Sequence, residues 1–262
     1  MCYDLKASLE AQKSRAQRSG NLNAAQEIEA LLRKHTTLPQ SHLNGFNHPV
    51  LGLYTNASPD AISLGRWGLI PHWFQGPPED MKFNTLNARG ESMLEKAAFA
   101  TAAEQYRGIL FIDGFYEHQH RTSGVYPHFI YRKDQKPMAL ACICAPLQAD
   151  TASPLTLSFS IVTIKANALM SEIHNNPKIK EARMPLILTQ EMEAQWLEPT
   201  DDFLTSGLSV GFITQSQGIE LRAHIVAPLR KKSINLPADY DASAPFDYPE
   251  SERGWDLFSG LN

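Results

Sequence analysis

Apolar residues recur near helical spacing over the first 35 positions, then give way to short apolar runs cut by Gly, Pro and Asn. Leu5, Leu9 and Ala16, followed by Ile28, Leu31 and Leu32, alternate with charge, which predicts amphipathic helices at 4–18 and 21–35 with the breaker "SGN" between them. The later runs at 62–70, 109–117, 126–132, 138–145, 156–164, 184–188 and 219–226 predict strands. Helical intervals return at 91–106, 166–174, 178–182 and 190–196, the last with Thr189 as its cap and acids in its first turn. The pattern is strand-rich α+β in a single domain over 1–262, with a helical hairpin at 4–35 and a Pro-rich tail at 237–262. No internal repeat or low-complexity tract interrupts it.

Composition narrows the classes. The chain has 262 residues, 43% hydrophobic and 20% charged, enough to bury a substantial core. Its longest apolar stretches, such as "MALACICAP" at 138–146, fall far short of the roughly 20 residues that cross a bilayer, so no membrane association is expected. The N-terminus lacks the pattern of a secretory signal, and a reducing cytoplasm is the expected location. Cys142 and Cys144 alternate as residues of a buried strand do, not as a metal knuckle. A net charge of −4 argues against a surface coated in positive charge for nucleic acid, although "LRKKS" at 229–233 offers a local basic patch or a merely solvated face.

Cys2 stands directly behind Met1, and cysteine is small enough for a methionine aminopeptidase to cut before it. Removal of Met1 would leave an amine and a thiol on adjacent carbons, a 1,2-aminothiol, which traps aldehydes. "NTLNARGE" at 84–91, "FIDGFYEH" at 111–118 and "IKANALMSEIHNNPKIKEARMPLIL" at 164–188 are also odd as pure core. Together with "RWGLIPHWF" at 66–74, their order and content resemble the SOS response-associated peptidase family, also called abasic-site processing proteins.

That resemblance implies a mixed or antiparallel barrel-like sheet with flanking helices, a groove for single-stranded DNA and covalent capture of abasic sites by Cys2 once Met1 is gone. It implies Cys2, Asn87, Glu117 and His174 as the catalytic set and Arg89 and Arg183 as phosphate contacts. Trp73 and Phe74 are candidates for base stacking and Thr163 and Lys165 for backbone contacts. The expected partner is single-stranded DNA carrying abasic sites, with no obligate protein partner. No cofactor is called for, and His118, His120 and His128 have carboxylates nearby but no closed metal-ligand set.

The chemistry also follows from the residue types. An opened abasic sugar exposes an aldehyde, and an α-amine with a reference pKa near 8 is neutral more often than a lysine near 10.4. Ring closure by the neighbouring thiol gives a five-membered thiazolidine. Glu117, among aromatic neighbours, and His174 suit proton transfer, while Asn87 offers both a donor and an acceptor. Each has a plainer alternative: a solvated strand glutamate, a helix-end histidine, a turn asparagine. Two departures from the family stand out. Asp4 occupies the place of a DNA-binding arginine, and "NNPKIKEA" lengthens the spacing between His174 and Arg183, leaving Lys178 or Lys180 as substitute cations. Two rival readings are a cysteine peptidase with Cys2 as nucleophile and a non-catalytic single-strand-binding module. The capture reading requires Asn87, Glu117 and His174 to converge on residue 2, and residue 2 to be open to solvent.

Overall fold

Ser8 decides how the chain begins. Its hydroxyl accepts the Ala11 N–H at 3.0 Å and caps helix α1 (Leu9–Arg18), while its own N–H and hydroxyl donate to Asp113 at 2.6 and 2.8 Å. The helix therefore starts at Leu9, and the four residues before Ser8 pair as strand β1 (Asp4–Ala7). The expected helix at 4–18 is thus a strand followed by a helix: four residues of alternating polarity fit either period, and pairing with two neighbours decides between them. Helix α2 (Leu22–His35), capped by Asn21, completes the hairpin, and Leu9, Ala16, Ile28 and Leu32 are buried in the main core.

The computed structural model describes residues 2–78, 81, 85–147, 154–198, 202–203, 207–230, 236–237 and 239–248. After the hairpin come β2 (Gln40–Asn44), β3 (Val50–Thr55), β4 (Ser58–Trp67), β5 (Asn87–Arg89), α3 (Ala100–Gln105), β6 (Arg107–Ile112), β7 (Gly114–Arg121) and β8 (Gly124–Arg132). They are followed by β9 (Met138–Pro146), β10 (Leu155–Lys165), α4 (Ala168–Ile173), β11 (Arg183–Pro185), β12 (Ile187–Leu188), α5 (Gln190–Leu197), α6 (Val210–Gln217) and β13 (Leu221–Ile225). The helix expected at 91–106 is a 3-10 turn at Met93–Glu95 and the short α3, and 178–182 forms turns and bends instead of a helix. Of the expected tail, the described residues up to 248 pack back on the fold: Val226 bridges Pro245 and the Tyr248 hydroxyl donates to the Val226 carbonyl at 3.1 Å. Residues 249–262 lie outside the described set.

Two sheets carry the α+β fold. One runs β13-β8-β7-β1-β2, with every pairing antiparallel. In the other, β10, β4, β3, β6 and β9 pair in succession and β9 pairs back to β10, closing a barrel-like ring whose β10–β4 contact is parallel. The expected run 109–117 divides at Asp113 and feeds one strand to each sheet. Gly114 is required at that corner, since a Cβ there would stand 2.4 Å from the Phe129 ring and 2.5 Å from the Ile130 carbonyl oxygen.

Trp67, at the end of β4, is fully buried and stacked on Phe159, with centroids 6.4 Å apart. Its indole N–H donates to the Leu86 carbonyl at 2.8 Å, and that carbonyl also accepts the Ile161 N–H at 3.1 Å. These bonds fix the residue immediately before Asn87. The "WGLIP" and "NAR" motifs are thereby coupled, one holding the chain where the other begins.

Candidate active site at the sheet junction

Cys2 precedes β1 and lies 2% exposed against the main core. Its carbonyl accepts the Asn87 side-chain N–H at 3.0 Å. Asn87 arrives from the other sheet, because β5 runs parallel to β10 with Asn87 opposite Ile161. Its Oδ1 is buried with no hydrogen-bond partner, an acceptor whose satisfaction would otherwise be expected. Burial pushes the Cys2 thiol pKa well up, and the charges of Glu117 and Asp4 push it in the same direction. Residue 2 therefore differs from the open position expected. The chain described still carries Met1, and the sulfur packs inward.

Glu117 lies on β7, 8% exposed, and accepts the His118 N–H at 2.9 Å. Its second oxygen is 3.8 Å from Nε2 of His174, which caps the C-terminal end of α4. His174 Nδ1 lies 2.9 Å from the Arg183 backbone N–H and 3.1 Å from the Arg183 carbonyl oxygen, so the Arg183 backbone holds the ring with Nε2 facing Glu117. Burial lowers the His174 pKa against the opposing pull of Glu117, which favours the neutral ring. Cys2 and Asn87 thus meet across the two sheets, Glu117 and His174 form a second pair, and the Glu117 charge is felt at the Cys2 sulfur.

The anticipated DNA contacts divide differently. Arg89 is exposed on β5 and makes no ion pair among the described residues. With Lys165 it lines a cleft of about 560 Å³ of mixed charge that also borders Glu91, Glu181, Arg183 and Val210. Two residues of strand, about 7 Å, separate Arg89 from Asn87. Arg183, in contrast, is 2% exposed and braced internally: its terminal nitrogens donate to both Glu91 oxygens at 2.9 and 2.6 Å, to Glu181 at 2.9 Å and to the Thr163 carbonyl at 2.7 Å, while its buried Nε has no partner. It buttresses His174 and is not open to phosphate. The longer spacing does not displace it, because 175–182 loops out and Asn175 is clamped to the His120 backbone by two bonds of 2.7 and 3.0 Å.

Thr163 is also corrected, since its side chain is fully buried and donates to the Ala88 carbonyl at 3.2 Å. Of the two aromatics, Trp73 faces outward at 43% exposure, with its indole N–H on the Ala97 carbonyl and Phe74 against its edge. Among the described residues no group of three or more His, Cys, Asp or Glu side chains is placed to hold a metal ion. Glu91 escaped the sequence reading, although the "E" that closes "NARGE" was its signal. No described helix is long and apolar enough to cross a membrane.

Residues 2–229 match the family model described as SOS response associated peptidase (SRAP). Abasic site processing protein YoqW of Bacillus subtilis (strain 168) is 34% identical over 161 residues, 60% of this chain and 67% of that one. Abasic site processing protein HMCES of Xenopus tropicalis is 29% identical over 188 residues, 60% of this chain and 54% of that one. The matched stretches thus span about half to two thirds of these relatives. A crystal structure of a protein from Bacteroides thetaiotaomicron superposes with a TM-score of 0.70 at 28% identity, covering 94% of this chain and 100% of that one.

Proposed function

Since this chain belongs to the SOS response-associated peptidase family, we propose that it captures abasic sites in single-stranded DNA as a covalent adduct on Cys2 once Met1 has been removed and residue 2, 2% exposed here, has opened to solvent. The amine acts first. Burial and the adjacent carboxylates hold the sulfur as a thiol, which disfavours direct thiolate attack and with it a cysteine-peptidase reading. The α-nitrogen adds to the aldehyde carbon of the opened sugar, the carbonyl oxygen is protonated and leaves as water, and an imine results. The sulfur then adds to the imine carbon as its proton passes to nitrogen, closing the thiazolidine with the net loss of one water and no oxidant.

The observation that carries this reading is the Asn87 amide. Its donor already fixes the Cys2 carbonyl at 3.0 Å, while its Oδ1 is a buried acceptor in want of an N–H. The liberated amine of Cys2 is a donor of the right kind. Glu117, 3.8 Å from His174, supplies and recovers the proton of the departing water, and His174 holds the sugar hydroxyl. β-Elimination from the imine before ring closure would give strand scission, a lyase side reaction. Exposed Arg89 and Trp73 serve as phosphate contact and stacking platform.

The test is incubation of protein lacking Met1 with a single-stranded oligonucleotide carrying one abasic aldehyde. A denaturant-resistant adduct with the summed mass less one water is expected, absent in Cys2→Ala and reversible in Cys2→Ser. An unmodified oligonucleotide would defeat the proposal.

A further inference from the structure

Asp4, two residues beyond Cys2, is a buried carboxylate held between a histidine and an arginine. Its side chain is 4% exposed, with one oxygen 2.8 Å from His42 Nε2 and the other accepting from Arg230 Nη2 at 2.7 Å. Burial raises the Asp4 pKa, but the hydrogen bonds from His42 and Arg230 outweigh it and leave the group below the usual carboxylate range. Asp4 is therefore a fixed anion, and its charge is felt at the Cys2 sulfur. Alone, it would repel a phosphate approaching the site.

The pair is asymmetric. Arg230 is 49% exposed against 4% for Asp4, so the solvent-facing end of the pair is positive. Among the described residues the guanidinium makes no other hydrogen bond, and arginine's remaining N–H groups form a planar fork suited to phosphate. Its backbone is anchored as well: the preceding Leu229 packs on the cluster of Tyr116, Phe129 and Val226, and Val226 bridges Pro245. Lys231 and Lys232, the rest of the "LRKKS" patch, lie outside the described residues.

We propose that Arg230, tethered by Asp4, is a phosphate-binding residue at the mouth of the Cys2 site. The assignment rests on the abasic-site reading above and adds a contact to it. Asp4 holds the cation in place, and Arg230 meets the phosphate backbone beside the captured sugar.

Fluorescence anisotropy with a single-stranded oligonucleotide bearing a tetrahydrofuran abasic analogue, which has no aldehyde, reads binding apart from capture. Between about 50 and 200 mM salt, Arg230→Gln is expected to weaken binding about three- to tenfold and to flatten the log–log salt slope by about 0.7, the share of one phosphate on a single strand. Arg230→Lys should keep the slope. The double variant Asp4→Asn with Arg230→Gln should regain only the part of the loss due to the bare Asp4 charge, staying weaker than the wild type and keeping the flattened slope. Unchanged affinity and slope in Arg230→Gln would overturn the assignment, and so would full recovery of wild-type affinity and slope in the double variant, which would show that Arg230 only neutralises Asp4. Failure of the wild-type chain to capture an aldehyde would instead sink the parent reading, a separate outcome in a separate assay.

Discussion

Replacing Asn87 by alanine is the most direct perturbation of the site, because it removes one donor and one acceptor without touching the reacting groups. The lost donor is the N–H at 3.0 Å from the Cys2 carbonyl, and with Asn87 only 9% exposed, water has little room to replace it. A buried carbonyl left without its donor costs about 1–3 kcal/mol. If that cost falls on the placement of residue 2 at the moment of attack, it corresponds to about a 5- to 150-fold slower reaction, at 1.36 kcal/mol per tenfold. The measurement is a single-turnover time course with saturating abasic single strand, resolved on a denaturing gel, using protein shown to be folded by its thermal transition. Asn87→Ala should slow adduct formation within that range. A rate within about twofold of wild type, with Cys2→Ala still inactive, would refute the idea that the amide positions the N-terminus.

Two further outcomes concern stability. His128 is 1% exposed with Nε2 unpartnered, and burial drives its pKa from 6.5 down to about 4, so the unfolded chain takes up a proton that the folded chain refuses. Folding stability should therefore be complete above pH 6.5 and fall by about 3 kcal/mol as the pH drops to 4, read by urea unfolding across that window, and His128→Gln should flatten the profile. Glu193 on α5, 2% exposed at its side chain, accepts from Arg15 at 2.7 Å and from Arg18 at 2.8 and 2.7 Å, tying α1 to α5. Glu193→Ala removes the acceptor shared by two arginines that are themselves 24% and 38% exposed and can turn to water, so a loss of about 1–2 kcal/mol is expected from chemical denaturation; no measurable change would place the pair among weak surface bridges.

Sequence legibility followed the range of the interactions. The hairpin from Leu9 to His35 and the long buried strands β9 and β10 were visible because apolar periodicity is a local property. β1 was not visible as a strand, because its four residues are defined by pairing with Asn44 and Tyr116, 40 and 112 positions from Asp4. The identities of Cys2, Asn87, Glu117 and His174 came from motif resemblance, and only the fold shows that they meet. Arg183 and Thr163 illustrate the converse. Residue type and spacing suggested phosphate contacts, but a guanidinium and a hydroxyl are equally good internal braces, and burial decided the matter. The Asp4–Arg230 pair spans 226 positions, beyond the reach of any local pattern.

The strand at β1 changes how the proposed chemistry works. On a helix, the chain end would depend on a fraying first turn. As a strand hydrogen-bonded between β7 and β2, with Leu5 fully buried, the main chain up to Asp4 is fixed from both sides. Asn87 then grips the Cys2 carbonyl from the other sheet, so residue 2 spans the junction of both. The entropy of orienting a terminal amine is therefore met during folding and not at capture. Met1 removal, on this argument, converts a preorganised site from blocked to reactive without rearranging β1. The barrel-like ring supplies the rigidity that makes this possible, since Trp67 and Ile161 both hold the Leu86 carbonyl next to Asn87.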